Sequence, residues 1–459
     1  MLRKASGRHF LRLAGENPDS RIVHDRPVVD NADGGDRICP QVEVPARFRR
    51  RRAVSMIERL NDARILIYSH DSFGLGHLRR CRAIAHAIVD RFKGVSILIL
   101  SGSPIIGSFD FLPRVDFVRI PGVIKLHDGE YQSLGLHIDV EQTMEMRAAI
   151  IRQTAQSFRP DLFLVDKEPL GLKGEVVATL QMLKAKGTTL VLGLRDIMDE
   201  PRLLLREWER KQVLPTLEHV YDSIWVYGLE SFADPLEGVL CPAAVHRKII
   251  YTGYLRRAVP NLPEAPAVPV GGQPYVLVTV GGGDDGMSAV DWVLRAYEHD
   301  SAIPLAAVVV LGPFMPPAEQ RHFRERAKRI GRIDVVTFDA HVELLMDRAV
   351  GIVAMAGYNT FCEILSLDKR AILIPRVKPR REQLLRAERA AAMGLTRMLD
   401  PEGVHDPAVM AAALRGLAQQ PLPSEHGAAR MLDGLSVITG LVAEHVGGAT
   451  FAQAHAAGT

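Results

Sequence analysis

Two short apolar runs, each ending in a glycine-rich turn, constrain this chain more than any other feature. Ala63-Arg64-Ile65-Leu66-Ile67-Tyr68 leads into Phe73-Gly74-Leu75-Gly76-His77, and Tyr275-Val276-Leu277-Val278-Thr279-Val280 leads into Gly281-Gly282-Gly283-Asp284-Asp285-Gly286. A short apolar run bounded by turn residues reads as a buried strand. After the first turn, Cys81, Ile84, Ala85 and Ile88 recur at i, i+3, i+4 and i+7, the apolar stripe of a helix. Strand, glycine turn and helix open a βα unit. Further strand candidates are Val95–Leu100, Leu162–Val165, Thr189–Leu194 and Ser223–Tyr227 before residue 258, and Ala306–Leu311, Val335–Phe338, Gly351–Ala354 and Ala371–Ile374 after it. Helical stretches such as Glu175–Lys186 alternate with them, which predicts α/β architecture with two parallel sheets.

Between the two openings, Ala258 to Pro274 carries five prolines and no periodic pattern, a semi-rigid linker. The expected organisation is a basic, disordered tail over 1–60, an N-terminal α/β domain over 61–257, the linker over 258–274, a C-terminal α/β domain over 275–420, and a terminal helix with a frayed tail over 421–459. Order is expected to begin abruptly at Ala63. The balance of 57 Lys and Arg against 54 Asp and Glu gives a net charge of +3, which excludes a polyanion binder such as a nucleic-acid protein. The surplus is local: residues 1–60 hold thirteen basic and eight acidic side chains, including the run Arg47-Phe48-Arg49-Arg50-Arg51-Arg52. Four dispersed cysteines without a CxxC pair fit reduced thiols of a cytoplasmic protein. The longest apolar run, Ile303 to Phe314, has twelve residues, short of the roughly 20 that cross a bilayer.

A glycine turn between strand and helix gathers backbone N–H groups into an anion site, although the same glycines also serve tight strand–helix packing. Neither turn is a P-loop, because the GKS/T ending is missing. Neither is a full GxGxxG dinucleotide fingerprint, because Arg79 stands at the third glycine of the first. His77 sits where the first turn becomes a helix, at the sheet edge where open α/β folds bind ligands. It reads as a general base near neutral pH or as a cap that ties down the loop. A third constellation is Ala356-Gly357-Tyr358-Asn359-Thr360-Phe361-Cys362-Glu363, followed by Ala371-Ile372-Leu373-Ile374-Pro375 and by Glu382-Gln383. Gly357, Asn359 and Thr360 suit a helix start. Glu363 either accepts hydrogen bonds from a cis-diol such as ribose or serves as a dipole partner.

The segment from Val350 to Gln383 resembles the donor-binding signature of family 28 glycosyltransferases, whose best-known members are the bacterial GlcNAc transferases of peptidoglycan synthesis. Gly357 matches the family glycine, Glu363 its ribose-binding glutamate, Pro375 its proline, and Gln383 the second glutamine of its sugar-contacting pair. Gly281-Gly282-Gly283 resembles the loop heading the family's C-terminal domain, and Ala340-His341 falls where the family holds uracil through the backbone. Gly74-Leu75-Gly76-His77 resembles the first glycine loop, and Thr252-Gly253 the close of the N-terminal domain. Met355-Ala356 replaces the family's polar pair, Glu382 its first glutamine, and Arg79-Arg80 occupies the region of an absent proline.

The resemblance implies two Rossmann-like parallel-sheet domains facing each other across a cleft, the GT-B arrangement. It also implies inverting, metal-independent transfer of a hexose or N-acetylhexosamine from a UDP-sugar to an acceptor hydroxyl. No cofactor is expected beyond that co-substrate; Asp284-Asp285 is the nearest carboxylate pair to a metal motif, and it sits inside a glycine loop. Gly281 to Gly283 and Gly357 are assigned to the phosphates, Ala340 and His341 to the base, and Asn359, Thr360, Glu363 and Gln383 to the remainder of the donor. His77 is the candidate base, and Gly74, Gly76, Arg79 and Arg80 form the acceptor side. Arg79, Arg80 and Asp196 could contact the acceptor, but an interdomain salt bridge is the expected role of each. The acceptor is an unidentified carbohydrate or lipid-linked molecule. Phe109 to Pro113 either faces lipid at the inner membrane surface or anchors a loop. Two rival readings are a nucleotide-sugar hydrolase of the same fold and a non-catalytic nucleotide-sugar sensor.

Overall fold

The computed structural model describes residues 58–60, 62–70, 76–125, 131–260, 269–283 and 285–447. Residues 1–57, Gly74, most of the linker, Asp284 and the tail beyond 447 lie outside these. The N-terminal sheet contains β1 (Arg64–Ser69), β2 (Ser96–Ser101), β3 (Val115–Arg119), β4 (Leu162–Asp166), β5 (Thr189–Arg195), β6 (Ser223–Tyr227) and β7 (Ile249–Tyr251). Its order is β7-β6-β5-β4-β1-β2-β3, parallel throughout. The C-terminal sheet contains β8 (Tyr275–Thr279), β9 (Ala306–Val310), β10 (Ile333–Val336), β11 (Gly351–Ala354), β12 (Arg370–Leu373) and β13 (Arg397–Met398). Its order is β10-β9-β8-β11-β12-β13, again parallel.

The two sheets therefore repeat one winding. In each, the first strand lies between the second and the fourth, so the crossovers diverge at β1/β4 and at β8/β11. Such switch points leave a crevice beyond the strand carboxyl ends. The central strands are apolar because helices cover both faces: Ile65, Leu66, Ile67, Tyr68, Phe163, Leu164, Val276 and Leu277 are all fully buried. Each buried aliphatic of this size contributes about 1.5–3 kcal/mol.

Most strands lie where the apolar runs predict them, within one or two residues at their ends. The predicted helix Glu175–Lys186 forms over Val177–Ala185. The apolar runs do not mark the edge strands β3, β7 and β13: β3 and β13 mix charged residues into their runs, and β7 is only three residues long. Order also begins before Ala63: Glu58–Arg59 pairs in parallel with Phe92–Lys93. Phe109 is buried with Leu78 and Ile106, and Phe111 packs against Phe117 with ring centroids 5.1 Å apart. These two aromatic rings anchor the loop. Among the described residues no helix is long and apolar enough to cross a membrane.

Candidate functional site

Helix α1 (Gly76–Arg91) leaves the first switch point with His77 in its opening turn. The apolar strand β4 ends in Asp166, beyond which the chain bends sharply through Lys167 at φ 69°. This bend leaves the Asp166 carboxylate fully buried beside α1. His77 Nδ1 lies 2.5 Å from Asp166 Oδ2. Arg80, one helical turn further on, donates from Nε to Asp166 Oδ1 at 2.8 Å and from Nη2 to Oδ2 at 2.5 Å. Asp166 outweighs its own burial through Arg80 and His77, so its carboxyl is held far below the usual carboxylate range. Burial, only partly opposed by the Asp166 hydrogen bond, lowers the His77 pKa from its ordinary value. The imidazole is thus neutral at pH 7. A buried carboxylate accepts only from a protonated Nδ1, so Nε2 is left as the basic nitrogen.

At the second switch point, Gly281 and Gly283 adopt left-handed φ values of 64° and 95°. A Cβ on Gly283 would sit 2.2 Å from Leu311 O, and one on Gly312 2.4 Å from Gly282 O. Glycine is required at both positions so that the loop can lie against the end of β9. Helix α2 (Tyr358–Ser366) follows β11, with Gly357 as its N-cap and no capping side chain. Its first N–H groups thus lack helical partners and carry the positive end of the helix dipole.

The two edges enclose one cavity of about 320 Å³. Gly76, His77, Arg79, Arg80 and Arg195 line it from the N-terminal side. Gly281, Gly282, Gly357, Asn359, Thr360, Glu363 and Gln383 line it from the C-terminal side. The structure therefore brings together nearly all the residues singled out in the sequence. Gly283 serves the packing behind the loop. Ala340 and His341 stand just outside the lining, where Phe338, Asp339 and Val342 of the same segment take their place. The His341 N–H is engaged by Asp339 Oδ1 at 2.7 Å.

Asn359 and Arg80 do different work from that expected, while Arg79 and Asp196 form the interdomain salt bridges expected of them. The Asn359 amide clamps the domains, donating to Gly76 O at 2.9 Å and accepting from Arg257 Nη2 at 2.9 Å. Arg79 crosses the cleft, with Nη2 2.6 Å from Glu343 Oε1 and 2.7 Å from Glu363 Oε1. The contact with Glu363 is electrostatic and off the hydrogen-bonding direction, so that oxygen has no hydrogen-bond partner among the described residues. Burial pushes the Glu363 carboxyl up to about 7; Arg79 opposes the rise and Glu343 adds to it. Arg80 supports Asp166 within its own domain. Asp196 is a fully buried interdomain partner: Arg386, in helix α3 (Glu382–Ala392), donates to it from Nε at 2.8 Å and from Nη2 at 2.5 Å. Gln383 Oε1 accepts from Arg376 N at 3.2 Å, while Arg376 pairs with Asp285 and Glu382, each at 2.7 Å.

Asp166 is the residue that sequence reading missed. Its signal was present as a lone carboxylate closing a fully apolar strand, Leu162-Phe163-Leu164-Val165-Asp166. Glu343, Phe338, Arg195 and Arg376 gave no comparable pattern.

Residues 276–432 match the model of the glycosyltransferase family 28 C-terminal domain. No curated protein matches the chain. Among solved structures, MurG of Acinetobacter baumannii shares 11% identity at a TM-score of 0.52, covering 84% of this chain and 100% of that one. The spinosyn forosaminyltransferase SpnP shares 15% identity at a TM-score of 0.56, covering 84% and 99%. Phytolacca americana UGT2, solved with UDP-2-fluoroglucose and pterostilbene, shares 13% identity at 0.56, covering 83% and 99%. At these identities the likeness is one of fold. Residues 276–432 thus resemble the C-terminal domain of glycosyltransferase family 28, and the chain has the GT-B fold that these structures share.

Proposed function

We propose that the protein transfers a hexosyl or N-acetylhexosaminyl group from a UDP-sugar to an acceptor hydroxyl with inversion at the anomeric carbon. The observation that carries this reading is a half-buried His77, held by the buried Asp166 carboxylate, that shares one cavity with a glycine loop and an uncapped helix N-terminus. The acceptor oxygen attacks the anomeric carbon as the bond from that carbon to the diphosphate oxygen breaks. The hydroxyl proton passes to His77 Nε2, and Asp166 stabilises the imidazolium that forms. The electron pair leaves with UDP, whose growing charge meets the N–H groups of Gly281, Gly282 and the start of α2. Each such donor is typically worth about 3 kcal/mol in a transition state. Glu363 takes the ribose diol through Oε1, which pairs with Arg79 but accepts no hydrogen bond among the described residues, and Gln383 with Glu382 faces the sugar. The location consistent with this donor is the cytoplasm, including its membrane face.

The test is calorimetric binding of UDP, GDP, TDP and ADP to the wild type and to Glu363→Ala, together with UDP release from a UDP-sugar. Selective UDP binding that the variant loses is expected, with UDP release dependent on acceptor. Free sugar formed without acceptor would favour the hydrolase, and binding without turnover the sensor. No nucleotide binding would overturn the assignment.

A further inference from the structure

Among the described residues four arginines line the cavity: Arg79, Arg80, Arg195 and Arg376. Three of them are committed to carboxylates. Arg79 meets Glu343 and Glu363 at 2.6 and 2.7 Å, Arg80 meets Asp166 at 2.5 Å, and Arg376 meets Asp285 and Glu382 at 2.7 Å each. These carboxylates outweigh burial and raise all three pKa values above the ordinary guanidinium value. Arg195 differs. Its one carboxylate contact among the described residues is Glu382 Oε1, 4.0 Å from Nη1, and that oxygen already accepts from Arg376 Nη2 at 2.7 Å. No side-chain nitrogen of Arg195 donates a hydrogen bond among the described residues, and Nε is buried without a partner. Burial lowers the Arg195 pKa to about 10, with Glu382 and Asp196 opposing and Arg386 and Arg80 reinforcing, so the group is charged at pH 7.

The sheet explains where this charge stands. Arg195 ends β5, which runs beside β4 with Gly193 in register with Asp166. It therefore lies two residues further out than the carboxylate that holds His77, on the same edge. Across from it, Glu382 and Gln383 open α3. Only 14% of the side chain stays accessible, so the guanidinium has lost most of its water, a cost that a counter-ion must offset. The nearby carboxylates are already engaged: Asp166 by Arg80, Asp196 by Arg386, and Asp285 and Glu382 by Arg376. That leaves the ligand as the source. The diphosphate has its N–H donors on the opposite edge, in the glycine loop and at the start of α2. One planar guanidinium matches one planar carboxylate, two N–H groups to two oxygens.

We propose that Arg195 binds a carboxylate carried by a substrate of this cavity, either on the donor's sugar, as in a hexuronyl group, or on the acceptor, as in a hydroxy acid. This rests on the reading of the cavity as a donor and acceptor site. Both sources are within its walls, since Glu382 and Gln383, assigned to the sugar, and His77, assigned to the acceptor, line it together with Arg195.

The test is calorimetric binding, to the full chain, of two ligand pairs that differ only by a carboxylate at C6. The donor pair is UDP-glucuronate against UDP-glucose. The acceptor pair is methyl α-D-glucopyranosiduronate against methyl α-D-glucopyranoside, measured with and without UDP. The expected result is a preference of about tenfold or more for the carboxylate in at least one pair, the scale of a charge-assisted hydrogen bond. A preference in the donor pair assigns the carboxylate to the sugar, and one in the acceptor pair assigns it to the acceptor. Arg195→Gln is expected to abolish the preference with UDP affinity within twofold of wild type. Arg195→Lys, which keeps the charge without the fork, should retain part of it and serves if the glutamine variant does not fold. No preference in either pair, a preference undiminished in the variants, or an equal loss of affinity for UDP and all other ligands would overturn the proposal. Wild-type UDP binding reads the parent assignment separately: its absence sinks the donor site, while the acceptor pair without UDP still reads Arg195.

Discussion

The two switch points share one strand order and differ in what they present to the cleft. Around β1/β4 the chemistry resides in side chains: His77, Asp166, Arg80 and, behind them, His70 with Tyr68 and Glu175. Around β8/β11 it resides in the backbone, in a left-handed glycine loop and a helix N-terminus without a capping side chain. The difference shows how one fold used twice divides labour. A site that moves a proton needs a titratable group in a fixed tautomer. A site that binds a diphosphate needs many N–H dipoles at close range, which side chains would obstruct.

If this division holds, substitutions at the two edges separate catalysis from binding. His77→Ala should lower kcat by about 10²- to 10⁴-fold while UDP affinity, read by calorimetry, stays within twofold. A parallel loss of UDP affinity would show that the first edge also carries the nucleotide. Asp196→Ala acts on the seam between the edges. It leaves the fully buried Arg386 without its partner, which should cost about 3–5 kcal/mol of stability. Chemical denaturation should show one broadly destabilised unit; a change below about 1 kcal/mol would mean that Arg386 finds another carboxylate.

Glu363→Gln should have a smaller effect, weakening UDP binding about tenfold with kcat at saturation little changed. Its pH dependence carries the sign. The diol donates to the carboxylate, so binding needs the ionised form, and wild-type affinity should rise as pH increases through about 7. The variant should be flat. The same raised pKa means that folded Glu363 holds a proton the unfolded chain has already released. Its contribution to stability is therefore present at low pH and lost as pH climbs from the usual carboxylate range to about 7. The catalytic profile should have its acidic limb below the ordinary histidine value, because burial depresses His77. A limb above pH 7 would mean that the Asp166 interaction outweighs burial.

Much of the fold was legible because central parallel strands are covered on both faces and must be apolar, so the runs at Ile65, Phe163, Val276 and Ile352 stand out. The edge strands β3 and β13 carried no such signal. The glycine loops were legible for a related reason: left-handed φ and backbone contacts such as that of Gly283 with Leu311 exclude other residues. Roles that depend on partners were not. Asn359 looked like a helix-start donor and proves to be a clamp between domains; Arg79 was legible as an interdomain salt-bridge residue, but not its partners Glu343 and Glu363.

By itself the sequence determined two α/β units of one kind, the position of each glycine turn, and the residue types at each edge, since these follow from local conformation and from burial that repeats along the chain. Only the tertiary structure decided which charges meet. The pairs His77–Asp166, Arg80–Asp166, Asp196–Arg386 and Tyr68–Glu175 join residues from 86 to 190 positions apart. A buried charge or polar proton is settled by the partner that folding brings within hydrogen-bond reach, and no local pattern along the chain encodes that partner.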